Sequence, residues 1–175
     1  MIRAAMKKIP ALFLCGPLLI LAYTSVSGDD ELEWYEIKNA TVVTYNISGS
    51  SQKELSDVMK RKGPNGYFGY TEWNFKWNCA EITVECTVTM PFWKTGGSTL
   101  ELQKKWRQFW NNLARHEQGH VDIVWQRVNE TKQLVKTMSC RRANDAWSRT
   151  LQRVNRESKE YDTRTDHGTI QGAVF

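Results

Sequence analysis

Residues 102–128, LQKKWRQFWNNLARHEQGHVDIVWQRV, decide the fold. Apolar residues recur through this stretch at the spacing of one face of an α-helix. Ser98 or Thr99 can cap the start, and the periodicity predicts a helix over about residues 99–138. The apolar face comprises Leu102, Trp106, Phe109, Trp110, Leu113, Val121, Val124, Trp125 and Val128.

The segments before this helix predict strands. Residues 34–47 are rich in β-branched and aromatic types and predict one or two strands. Residues 71–78 and 80–90 alternate apolar and polar side chains, which is typical of a sheet with one buried face. Between the first of these segments and the second, a capping box at residues 51–54 opens a short helix. Gly-Pro-Asn-Gly at residues 63–66 ends it.

A second helix is predicted after the long one, over about residues 143–160, with Trp147, Leu151 and Val154 inward. The last residues, from Tyr161 onward, lack periodicity and indicate a tail. Strands first and helices afterwards predict an α+β fold. We expect a small antiparallel sheet packed on the long helix and on the second, C-terminal helix.

The first 27 residues have the layout of a secretory signal peptide. A positive start and an apolar run over residues 9–22 precede the small residues 25–27. The run is shorter than the roughly 20 residues that a spanning helix needs. We therefore expect a signal peptide at 1–27, one domain at 28–175, and an exported chain, periplasmic or extracellular, without a membrane span after cleavage. The alternative is a retained N-terminal anchor.

The charge balance argues against a nucleic-acid partner. The chain has 24 Lys and Arg against 19 Asp and Glu. Residues 1–27 contain three of the basic residues and no acidic one, so the remainder has 21 against 19, a net charge of +2. Basic residues gather at 141–156, which on a helix is usually a solvated face. The sequence leaves the oligomeric state open.

Export makes disulfide bonds possible. Cys79 and Cys86 lie seven residues apart within or beside one predicted strand, where about 3.3 Å per residue puts them out of reach of each other. Cys86 also falls on the apolar face, which suits a buried free thiol. The favoured pair is therefore Cys79 with Cys140.

The segment RHEQGHVD, residues 115–122, contains the pattern H-E-x-x-H. On a helix, His116 and His120 share a face and can offer two imidazoles to one ion, while Glu117 can deprotonate a metal-bound water. The chain has only three histidines, and two of them make this motif. Gly119, inside the helix, costs about 1 kcal/mol relative to Ala. Room for a substrate or a close strand approach would explain it.

A catalytic zinc takes three protein ligands and a water, so a third ligand must come from elsewhere. Position 126 is Gln, which excludes the pattern with a histidine six residues after His120. We favour His167, the remaining histidine, because imidazole is a usual zinc ligand. A solvated tail residue is its plain alternative. The carboxylate candidates are Glu130, Glu157, Glu160, Asp162 and Asp166.

Three further residues are candidates for supporting roles. Asp122 and Asp162 can each accept a hydrogen bond from a ligand histidine. Tyr161 can donate to an oxyanion in the transition state. The ordinary alternatives are an exposed charge for each aspartate and packing for Tyr161.

Five segments carry a family resemblance that spans about residues 34–173. They are VTYNISGSSQKEL (43–55), KGPNGYFGYTEWNFKW (62–77), TVTMPFW (87–93), RHEQGHVDI (115–123) and YDTRTDHGTIQGA (161–173). In this order they resemble a bacterial family of predicted secreted zinc-dependent proteases, long called a domain of unknown function. The resemblance implies a minimal zincin-like fold, zinc held by His116 and His120, and Glu117 as catalytic base. It also points to His167. Cys86 is an extra cysteine relative to the family pattern.

Together these observations predict an exported zinc (Zn2+) metallopeptidase that acts on a peptide or protein, with Glu117 as general base for a zinc-activated water. The alternative is a non-catalytic metal-binding structural or interaction module of the bacterial cell envelope. A third possibility, a helical interaction domain without metal, requires the histidine spacing to be accidental.

Overall fold

A computed structural model describes residues 33–79 and 81–175; the predicted signal peptide, residues 1–27, lies outside them. The chain is α+β, as predicted. Among the described residues no helix is long and apolar enough to cross a membrane. The elements are β1 (Thr41–Ile47), α1 (Gln52–Lys62), β2 (Tyr70–Trp77), β3 (Ile82–Trp93), α2 (Leu100–Val135) and α3 (Cys140–Thr165), with 3-10 turns at Pro64–Gly66 and Thr169–Gln171.

The sheet is mixed, so the prediction of an antiparallel sheet is wrong for one of its two strand pairs. β2 and β3 form an antiparallel pair in which Trp73 faces Cys86. β1 lies on the other side of β3 and runs parallel to it, with Val42 beside Val88. The crossover from β1 to β3 contains α1 and β2, and it is long enough for a parallel connection. Side-chain alternation predicts a strand but does not set its direction.

The buried face of β3 packs against α2 and forms the core. The alternation predicted for β3 is present, since Ile82, Val84, Cys86, Val88 and Met90 are all buried. Each large apolar side chain buried here contributes roughly 1.5–3 kcal/mol. The α2 side of this core comprises Leu102, Trp106, Phe109, Leu113, Val121, Val124 and Val128.

Both long helices differ from their predicted bounds at the ends. The Thr99 hydroxyl accepts a hydrogen bond from the Leu102 N–H and caps α2 as expected. α3 runs from Cys140 to Thr165 and so ends five residues beyond the predicted end. The apolar periodicity stops at Val154, but the inward positions continue at four-residue spacing with the polar residues Ser158 and Asp162. The helix therefore goes on where its hydrophobic pattern does not.

A disulfide joins the β2–β3 connection to the first residue of α3. It links Cys79 and Cys140, whose Cα atoms are 5.2 Å apart. Cys86 is buried in the core as a free thiol. This is the pairing that the sequence favoured, and it ties the hairpin to the helix that completes the site.

Candidate metal centre

Three potential metal ligands from α2 and α3 converge. His116 and His120 lie one turn apart on α2 and are 4% and 6% exposed. Asp162 Oδ1, from α3, is 3.3 Å from His116 Nε2 and 3.0 Å from His120 Nε2. A tetrahedral zinc with bonds of 2.0–2.1 Å has ligand–ligand distances of about 3.3–3.4 Å. These three residues are therefore a possible metal-binding triad.

The far nitrogens of both imidazoles have polar partners. His116 Nδ1 is 2.9 Å from Gln171 Oε1, and His120 Nδ1 is 2.7 Å from Ser158 Oγ. Metal-binding histidines commonly use one ring nitrogen for the ion and the other for such a partner, which orients the ring. Both imidazoles thus turn their Nε2 atoms towards Asp162.

The pKa shifts of His116 and Asp162 favour the binding of a cation. Burial lowers the pKa of His116, although the hydrogen bond to Gln171 opposes the shift. Burial by itself raises the pKa of Asp162, but the His120 hydrogen bond and the charges of the nearby histidines outweigh it, so its pKa is lowered. A neutral imidazole beside an ionised carboxylate is the form in which these groups bind metal.

Glu117 lies next to the triad and is buried, with 3% of its surface exposed. Burial raises its pKa to about 7, and the hydrogen bond from Thr71, whose hydroxyl donates to Oε2 at 2.7 Å, opposes this shift. A Cβ added to Gly69 would lie 2.7 Å from Glu117 Oε1, so the backbone leading into β2 passes close above the carboxylate. A carboxyl group with a near-neutral pKa suits a general base.

The glycine inside the motif has a packing reason. A Cβ on Gly119 would overlap the hydroxyl and ring of Tyr161. The Tyr161 ring in turn stacks on His116, with centroids 5.1 Å apart and planes 12° apart. Close approach of α3 therefore requires Gly119, in place of the substrate room or strand approach that the sequence suggested.

The tail folds back to the α2 face that carries the motif and places His167 at the edge of the site. Asp166 and His167 have positive φ values of 48° and 50°, and Gly168 follows with 85°. The His167 side chain is 52% exposed, and its Nδ1 is 3.8 Å from Asp162 Oδ1. Its ring lies 5.4 Å from that of Tyr67. Asp162, a carboxylate considered in the sequence, thus occupies the position nearest the two motif histidines, with His167 outside it.

A cleft of about 830 Å³ opens over the triad. The segment before β2 and the start of β2 form one wall, with Tyr67, Phe68, Tyr70 and Trp73. The other wall comes from α3 and the tail, including Lys159. The volume is within the range of ligand-binding clefts.

Sequence reasoning missed three supporting residues. Ser158 had a usable signal, because it stands four residues after the inward Val154 and four before Asp162. Thr71 is the second residue of β2, but nothing in the alternating pattern marks its hydroxyl as the partner of Glu117. Gln171 lies in an aperiodic tail and had no signal.

The family comparison matches most of the described chain. A family model described as "Bacterial protein of unknown function (DUF922)" matches residues 42–168. That span contains the triad, Glu117 and His167, and it ends three residues before Gln171. No curated protein and no solved structure matches the chain.

Proposed function

We propose that this chain, which belongs to the DUF922 family of bacterial proteins of unknown function, is a zinc-dependent metallopeptidase. One observation supports this most strongly. Two buried imidazoles and a carboxylate converge at the base of an open cleft, and a fourth group, the buried acid Glu117, lies beside them. A metal triad alone would serve a structural site, whereas the added acid and the cleft fit a catalytic one.

The donor set favours zinc. Zinc binds histidine nitrogen and carboxylate oxygen, and catalytic zinc sites have three protein ligands with one position for water. The distances support His116, His120 and Asp162 as that trio. His167 remains the alternative third ligand from the sequence.

His116, His120 and Asp162 would hold the zinc, which when bound would lower the pKa of a water to about 7 and polarise a substrate carbonyl. The chain itself supplies the proton transfers. Thr71 holds Glu117 Oε2, which leaves Oε1 to take a proton from the attacking water and to return it to the leaving amine. The burial that raises the pKa of Glu117 makes both transfers feasible near neutral pH.

The cleft supports a peptide or protein as substrate, and we propose no nucleic-acid partner. Its aromatic wall offers flat apolar surface to side chains of an extended chain. Export to the periplasm or beyond is part of the proposal and rests on residues 1–27. The disulfide between Cys79 and Cys140 agrees with an oxidising compartment.

The second candidate is a non-catalytic metal-binding module of the cell envelope. The observation in its favour is the tail, which packs on a triad histidine: a Cβ on Gly168 would lie 3.0 Å from the His116 ring. A metal bound by His116 would then also hold the tail against α2. The two functions differ in what they require of Glu117.

The test uses residues 28–175, with bound zinc and peptide hydrolysis measured on the same samples. In the proposed function Glu117→Gln keeps its zinc and loses about 10²–10⁴-fold in hydrolysis, the usual contribution of a general base. Glu72→Gln, at an exposed position on β2, is the matched control and should behave as wild type. If wild-type protein with zinc leaves a broad peptide library intact, the non-catalytic module is favoured instead.

A further inference from the structure

The side chain of Gln171 meets the far nitrogen of a triad histidine. Its Oε1 is 2.9 Å from His116 Nδ1. An amide oxygen only accepts hydrogen bonds, so with the amide in this orientation His116 donates from Nδ1 and has a lone pair on Nε2. That lone pair faces Asp162 Oδ1 at 3.3 Å. Two acceptors this close favour a cation between them.

The Tyr161 hydroxyl contacts both ends of the Gln171 amide. Gln171 Nε2 donates to the hydroxyl at 3.0 Å, and the hydroxyl lies 3.3 Å from Oε1. The Tyr161 ring also stacks on the His116 ring. One side chain therefore contacts both members of the Gln171–His116 hydrogen bond.

The backbone around Gln171 is fixed on both sides. Before it, Gly168 lies so close to the His116 ring that no Cβ fits without displacement. After it, the Gly172 carbonyl accepts a hydrogen bond from Asn112 Nδ2 at 3.0 Å. Asn112 is on α2, one turn before His116, so the tail is attached on both sides of the imidazole that Gln171 contacts.

We propose that Gln171 is a positioning residue that sets the tautomer and the ring orientation of His116 for metal binding. The inference rests on the proposed zinc site. It assigns the tail a function that does not require His167 to bind the metal. Loss of such an outer partner typically weakens metal affinity about 10–100-fold.

The test compares three variants by competitive titration with Zn2+ alone. Gln171→Leu removes the acceptor, and we expect zinc affinity to fall about 10–100-fold. Gln171→Glu keeps an acceptor oxygen, and the Tyr161 hydroxyl can donate to it, so affinity should stay within about threefold of wild type. Gln152→Leu, at an exposed position of α3, is the matched control and should bind as wild type.

A second readout needs no metal. Nitrogen-15 NMR of the imidazoles in metal-free protein should show His116 as the Nδ1–H tautomer in wild type and in Gln171→Glu. This preference should be lost in Gln171→Leu. A purely structural role for Gln171 would not give rescue by glutamate together with this change of tautomer.

Three results would each overturn the inference. Two concern affinity: unchanged zinc binding in Gln171→Leu, or an equal loss in Gln171→Glu and Gln171→Leu. The third is an Nε2–H tautomer of His116 in the metal-free wild type. These failures differ from failure of the proposed function, in which the wild-type protein itself would not bind zinc.

Discussion

Two polar clusters lie along the same pair of helices, α2 and α3, and their charges are arranged differently. The first, the cleft cluster, combines buried imidazoles with acids and neutral partners. Its groups converge, and His116 Nε2 and Asp162 Oδ1 face each other at 3.3 Å. The cleft cluster consists of His116, Glu117, His120, Ser158 and Asp162 from the two helices, joined by Gln171 from the tail.

The second cluster, the ion-pair network, lies further along the helices and consists of Arg127, Glu130, Arg153 and Glu157. Glu157 meets Arg127 Nε at 2.6 Å and Arg153 Nε at 2.7 Å, and Arg127 also meets Glu130 at 2.5 Å. Each charge has an opposite charge beside it. The network is electrostatically balanced as it stands, whereas the cleft cluster contains a triad that could hold a cation.

The largest expected effect separates the two candidates for the third zinc ligand. Asp162→Ala should weaken zinc binding by more than about 100-fold, beyond the range for an outer partner. His167→Ala should change affinity by less than about threefold, because His167 lies outside the triad, while hydrolysis decreases if the residue contacts substrate. Zinc competition titrations measure both. The reverse order of affinities would make His167 the ligand and Asp162 its support.

Two adjacent residues of α3 test the difference between the clusters through smaller changes in zinc affinity and stability. Ser158 belongs to the cleft cluster and Glu157 to the network. Ser158→Ala should weaken zinc affinity about 10-fold, through the loss of the partner of His120. Glu157→Gln should leave zinc affinity unchanged and lower the free energy of unfolding by about 1 kcal/mol.

Zinc titration and chemical denaturation of each variant measure the two effects separately. Ser158→Ala binding zinc as tightly as wild type would remove Ser158 from the site. Zinc affinity that falls in Glu157→Gln would show that the two clusters are coupled.

The smallest effect that we expect from substitutions in the cleft cluster is on the core between the sheet and the helices, where the reactivity of Cys86 reports on folding. Burial raises the pKa of the Cys86 thiol to about 11, so at pH 8 its thiolate fraction is about 100-fold lower than that of an ordinary cysteine. Alkylation of Cys86 in native residues 28–175 should be correspondingly slow and should become rapid on unfolding. Substitutions in the cleft cluster should leave this rate unchanged. A faster rate in Asp162→Ala would mean that the variant disturbs the fold, and its zinc loss would then say little about ligation.

The sequence predicted the elements in which apolar residues recur at a regular spacing. Alternation located β3, and helical spacing located α2 with its two motif histidines on one face. It did not locate the end of α3, because polar Ser158 and Asp162 replace the apolar residues that mark an inward face. The family resemblance and the histidine count both pointed to His167, whereas the nearest group in space is Asp162.

Other features depend on contacts that no local pattern encodes. The parallel placement of β1 follows from the path of the crossover. The position of Gln171 follows from the left-handed residues at 166–168 and from the hydrogen bond that Asn112 makes to the tail. Gly119 was visible in the sequence as a residue that needed a reason, but only the approach of Tyr161 supplies it.

X-ray absorption at the zinc edge tests directly whether the cleft cluster binds zinc. For wild-type residues 28–175 we predict one zinc per chain, with nitrogen and oxygen neighbours at about 2.0–2.1 Å and the scattering pattern of two imidazoles. The double variant His116→Ala, His120→Ala should retain no zinc. Wild-type protein that retains none, or a double variant that retains as much zinc in the same environment, would contradict the account.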